Sequence, residues 1–179
     1  PQNAVYHPFD FKMTIGAKKP KMLSETFQMH FGYTPLHTYI QVSRTVPAAW
    51  KNMYGDKLCA VSFNGNSTTY EGGQLTANKL RFKTRSLGQY AISYDNTPPK
   101  ITVRQFGKNF KFRVTDNLSG IDKIICSIDN KWILAEYEPK TNTVWGSIPA
   151  WIKPGTYEYK LIVIDSKKNR SEYKRSITL

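Results

Sequence analysis

Tyr157-Glu158-Tyr159-Lys160-Leu161-Ile162-Val163 decides the fold class. In an extended chain successive side chains point to opposite faces, so Tyr157, Tyr159, Leu161 and Val163 share one side, with Glu158 and Lys160 on the other. A period of 3.6 would scatter the same residues around a helix. Phe110, Phe112 and Val114 alternate with Lys111 and Arg113 in the same way. Between Ile124–Ile128 and Trp132–Leu134, the pair Asp129-Asn130 reads as a tight hairpin turn, because Asn and Asp tolerate positive φ better than other side chains with a Cβ. The meander continues through Val144–Ile148 to Pro154-Gly155.

Working toward the N-terminus, Asp95-Asn96-Thr97-Pro98-Pro99 forbids a continuing helix and disfavours a central strand, which places a domain boundary there. It separates residues 1–95 from 96–179, each large enough for a sandwich core. The first segment repeats the period of two: Phe27, Met29 and Phe31 on one face, Gln28 and His30 on the other, followed by Tyr39–Val42, Leu58–Phe63 and Leu80–Phe82. Only Pro47–Tyr54 suggests a helix, about two turns long, with Pro in its first turn and Gly55 as its C-terminal cap. Gly88-x-Tyr90 and Gly155-x-Tyr157 recur at the start of a late strand, where a tyrosine corner is expected. The consistent assignment is all-β, as two tandem immunoglobulin-like β-sandwich domains.

Composition narrows the function. The 179 residues carry 26 Lys+Arg and 13 Asp+Glu, a net charge of +13, and 13% aromatics. That content of apolar surface argues against disorder. The longest aliphatic run, Leu161–Ile164, is far shorter than the roughly 20 residues of a membrane span. The opening Pro1-Gln2-Asn3-Ala4, without Met or an apolar leader, reads as a processed form or a piece of something longer. His7, His30 and His37 form neither His-x-His nor His-x-x-x-His, so no metal ligand set is assigned. Cys59 and Cys126 read as buried free thiols. Asp116–Gly120 and Asp165–Arg170 read as polar turns rather than calcium loops, the second carrying two lysines that would repel a cation. Glu136 and Glu138 read as a solvated strand face. Trp50, Trp132, Trp145 and Trp151 are either core or a sugar-stacking platform. No catalytic residue and no cofactor is assigned.

The sharpest electrostatic feature is Lys79-Leu80-Arg81-Phe82-Lys83-Thr84-Arg85. Period two puts Lys79, Arg81, Lys83 and Arg85 on one face and Leu80 and Phe82 on the other. Such a row either engages a polyanion or is a solvated face that discourages edge-to-edge pairing. No aromatic interleaves on the cationic face, which argues against a nucleic-acid partner.

Gly72-Gly73, Leu75-Thr76, Arg81 through Ala91 and Asp95 through Ile101, continued by Val114 through Ile121, Ile128 through Ile133, Tyr137 through Lys140 and Gly155 through Asp165, resemble the segment that follows the catalytic domain in lysostaphin-like peptidoglycan zinc endopeptidases of Gram-negative bacteria. The resemblance covers most of residues 60–179. That family's His-x-x-x-Asp and His-x-His motifs are absent, so no catalytic residue carries over. The resemblance implies a non-catalytic accessory region that positions a catalytic domain or grips wall or partner, exported to the periplasm or cell surface. Peptidoglycan, another anionic envelope glycan, or the parent catalytic domain would be the partner. The alternative is a surface binding module or adhesin segment recognising glycans or other anionic envelope material.

Overall fold

The structure, a computed structural model, describes residues 3–30 and 34–179. Phe31, expected beside Phe27 and Met29, lies outside the described residues. The chain divides into two compact units, Pro1–Asn96 and Thr97–Leu179. Among the described residues every regular element but one seven-residue α-helix and a single 3-10 turn is a strand, and all strand pairings are antiparallel. The chain is therefore all-β, a tandem of β-sandwiches, and no helix is long and apolar enough to cross a membrane.

The first unit contains β1 (Met13–Gly16), β2 (Thr26–Met29), β3 (Thr34–Thr45), α1 (Ala48–Tyr54), β4 (Leu58–Asn64), β5 (Ser67–Tyr70), β6 (Gln74–Thr76), β7 (Lys79–Leu87) and β8 (Gln89–Tyr94). One sheet runs β1-β2-β8-β4-β5 and the other β3-β7-β6. Their facing residues, including Phe27, Leu58, Leu80, Phe82, Tyr90 and Ile92, form a single buried cluster. Each such side chain contributes about 1.5–3 kcal/mol when fully removed from water. Pro47 caps α1 at its start and Gly55, at φ 48°, ends it, since an L side chain rarely adopts that backbone conformation.

The second unit contains β9 (Lys100–Gln105), β10 (Asn109–Thr115), β11 (Ile121–Ile128), β12 (Lys131–Trp132), β13 (Glu136–Glu138), β14 (Thr143–Ser147), β15 (Thr156–Asp165) and β16 (Arg170–Thr178). Its sheets run β13-β14-β10-β9 and β12-β11-β15-β16. Taking β9 as strand A, this is the DEBA and C′CFG order of an immunoglobulin sandwich. Phe110, Phe112, Tyr159 and Leu161, all nearly inaccessible, fill the space between the sheets. The Phe112 and Tyr159 rings stack with centroids 5.9 Å apart. Gly146 is required by packing: a Cβ there would meet Phe110 Cζ at 2.4 Å and the Leu134 carbonyl at 2.8 Å.

Both tyrosine corners form. The Tyr157 hydroxyl donates to the Lys153 carbonyl at 2.9 Å, and Tyr90 donates to the Ser86 carbonyl at 2.7 Å, each reaching four residues upstream. The turn between β11 and β12 places Asp129 and Asn130 at φ 45° and 63°, the two positive values of a tight hairpin. Of Trp132–Leu134, expected as one strand, only Trp132 belongs to β12, and a last bond to β11 follows from the Ile133 N–H to the Cys126 carbonyl at 3.0 Å. Ile133 turns inward and is buried, while Leu134 is exposed.

A cationic sheet face as candidate functional site

Along β7 exposure alternates without a break from Lys79 to Arg85: Lys79, Arg81, Lys83 and Arg85 are exposed, and Leu80, Phe82 and Thr84 are buried. The cause is local. Leu80 and Phe82 belong to the apolar cluster of the first unit, and the pleat sends every intervening side chain to the other face. Successive cations stand roughly 6.7 Å apart along the strand, so the row runs about 20 Å. Neighbouring charges at that spacing repel by about 0.6 kcal/mol in water, and an anion laid along the row relieves the repulsion.

The flanking strands add polar groups on the same face. Gln41, Ser43 and Thr45 of β3 lie opposite Lys83, Arg81 and Lys79, and Gln74 and Thr76 of β6 lie opposite Arg81 and Lys79. All five are exposed. Between these strands lies an open groove of about 500 Å³ lined by Gln41, Gln74, Arg81 and Lys83, with Glu71 also on its wall. Glu71 is held by the Ser62 hydroxyl at 2.7 Å. Arg85 donates from Nη2 to the His37 carbonyl at 3.2 Å, and its guanidinium lies 5.6 Å from the centre of the Tyr39 ring. Tyr39 is 57% exposed, so, contrary to the expectation from the sequence, an aromatic does reach the cationic face, carried there by the neighbouring strand β3.

Among the described residues, no carboxylate lies within 4 Å of any of the four cations. The ion pairs lie in the second unit. There Lys160 pairs with Glu158 at 3.2 Å, Lys168 with Asp122 at 2.6 Å and Lys174 with Glu172 at 2.7 Å, while Arg170 also pairs with Glu172. What sets β7 apart is that its four cations stand in one continuous row on one face of a single strand.

The remaining sequence candidates resolve individually. The His30 ring packs against Phe9 at 4.1 Å and His37 against the edge of Tyr6 at 5.6 Å. No histidine joins a group of three possible metal ligands among the described residues. Cys59 and Cys126 are both buried, and neither is in a disulfide among the described residues. Cys126 donates to the Tyr159 hydroxyl at 3.0 Å, and burial pushes its thiol up to about 11, the reverse of an activated nucleophile. Burial also raises Tyr159, with Cys126 beside it as a smaller cause. Asp116 Oδ2 accepts the N–H groups of Leu118 and Gly120. Asp165 Oδ1 accepts those of Lys167 and Asn169, so both loops are organised as turns by their own aspartates.

Fold and site together define a tandem β-sandwich protein with an uncompensated cationic sheet face on its first unit. The chain belongs to the Zu5-like domain family, whose model matches residues 1–95. That match covers the unit carrying β7 and overlaps the endopeptidase resemblance only over residues 60–95. Comparison with curated proteins finds no match.

Proposed function

We propose that this chain is a non-catalytic binding region of an exported envelope protein, and that β7 lays its cation row along an anionic envelope glycan. The observation that carries this is the row Lys79, Arg81, Lys83 and Arg85, exposed on one face and without a carboxylate within 4 Å among the described residues. A flat, open face bordered by Gln and Thr side chains suits a long polymer of repeating negative charge better than a small ligand, which is held in a concave and mostly apolar site. The resemblance across residues 60–179 supports the narrower form of the proposal, in which the chain is the accessory region of a lysostaphin-like peptidoglycan endopeptidase. Its service would be to hold a catalytic domain near its substrate by raising effective concentration.

Sedimentation with purified sacculi across a salt series tests the binding. Retention falls as salt screens the row, and changing all four cations to Gln lowers it at low salt. Retention that ignores both salt and the substitutions would overturn the proposal. The narrower form has its own test in the coding sequence upstream of Pro1, which should specify His-x-x-x-Asp and His-x-His motifs.

A further inference from the structure

We propose that the outer face of the β13-β14-β10-β9 sheet binds an uncharged glycan chain, with Trp145 as its stacking platform. This site belongs to the second unit and stands or falls apart from the cationic face of β7.

The register assembles it. Glu136, Trp145, Lys111 and Gln105 are cross-strand partners in one row over all four strands. Their inward neighbours Val144, Phe110 and Phe112 are buried, so the row faces outward. Glu138, Thr143 and Arg113 form the next row along the same face. Gln105, Lys111, Glu136, Glu138, Thr143 and Trp145 line a shallow, open cavity of about 700 Å³.

The chemistry selects the ligand class. Trp145 is half-buried and lines the cavity, so part of its side chain stays open to a ligand. The C–H bonds on one face of a pyranose carry slight positive charge and pack on the negative face of an indole. Amide, carboxylate and ammonium groups on both sides of the ring match the hydroxyls at a sugar's rim, which donate and accept together. Charge decides against the polyanion of β7: the two rows hold Glu136 and Glu138 against Lys111 and Arg113, which balance, in a chain whose net charge is +13. A surface poor in net positive charge within so basic a protein suits a neutral partner.

The test is a nitrogen-15 NMR titration of the whole chain with chitotetraose, cellotetraose and maltotetraose, and with polygalacturonate as the anionic comparison. At least one neutral tetrasaccharide is expected to shift the Trp145 indole N–H saturably, with little dependence on salt. Trp145→Ala should weaken that binding by at least about tenfold, and Gln105→Ala, on the edge strand β9, by a few-fold. The variant with all four β7 cations changed to Gln should bind the neutral sugar as before. Should Trp145→Ala fail to fold, Gln105→Ala carries the test. No shift with any neutral probe, a shift that survives the substitutions undiminished, or a response to polygalacturonate alone would each overturn the proposal.

Discussion

Replacing Tyr90 by Phe removes one oxygen from the centre of the first unit, and the structure sets the size of the effect. The hydroxyl donates to the Ser86 carbonyl at 2.7 Å and lies 2.8 Å from Thr84 Oγ1 and 3.1 Å from Ser86 Oγ, all inaccessible to water. Thr84 Oγ1 retains two partners, accepting the Ser86 N–H at 3.2 Å and donating to the Ser86 carbonyl at 3.3 Å, so the network is only partly orphaned. Losing one hydroxyl and under-satisfying its buried partners costs about 1.5–3 kcal/mol. Tyr157→Phe is the internal control, because its single bond to the Lys153 carbonyl is exposed and water replaces it, at a cost of about 0.5–1 kcal/mol. Urea unfolding followed by resolved amide resonances reports each unit separately. With a slope near ~1 kcal/mol per molar urea, the first unit's midpoint falls by about 1.5–3 M in Tyr90→Phe and the second unit's by about 0.5–1 M in Tyr157→Phe. Equal shifts in the two variants, or a shift below about 0.5 M for Tyr90→Phe, would refute the reasoning from burial.

Four further outcomes follow from the same geometry. Gly146→Ala drives a methyl into the Phe110 ring and should destabilise the second unit by at least about 1–3 kcal/mol. Gly107→Ala, with nothing within 4 Å, should stay within about 0.5 kcal/mol of the parent by the same denaturation assay. Cys126 should resist a thiol reagent at pH 8 in the native protein and react at once in denaturant, because burial holds its thiol near 11. The same shift has a consequence for stability. The folded value lies above the reference value of 9.0, so the unfolded chain loses the proton first, and stability present below pH 9 is lost as pH rises toward 11. Cys126→Ala should remove that onset and leave the later fall from the tyrosines that burial raises, Tyr159 and Tyr137, which pH-dependent unfolding of the second unit would reveal.

The strands legible in the sequence were those with one face fully buried. Tyr159, Leu161 and Val163 of β15 and Leu80 and Phe82 of β7 write a period of two because the core demands it at every second residue. Edge strands carry no such demand. All four residues of β1 are exposed, and in β16 only Ile177 is buried, so neither leaves an alternation to read. The hairpin at Asp129-Asn130 was visible because local turn chemistry alone specifies it. The candidate sites divide along the same line. The cation row is contained in one strand and could be read directly, whereas Tyr39 beside Arg85 depends on a register shift in the β3–β7 pairing between Pro35 and Ile40. Trp145 joins Lys111 and Glu136 only through cross-strand pairing. Contacts made by register between distant segments leave no mark in either segment alone.

The most direct measurement for the central claim is amide and side-chain chemical-shift mapping of the full chain with a soluble anionic polysaccharide at low salt. Both units are strongly basic, with 11 − 5 = +6 over residues 1–95 and 15 − 8 = +7 over residues 96–179, so net charge alone cannot favour the first. The account predicts perturbations concentrated on Lys79, Arg81, Lys83 and Arg85 and their neighbours Tyr39, Gln41 and Gln74, fading as salt rises. Perturbations spread over the lysines and arginines of the second unit, with β7 untouched, would contradict it.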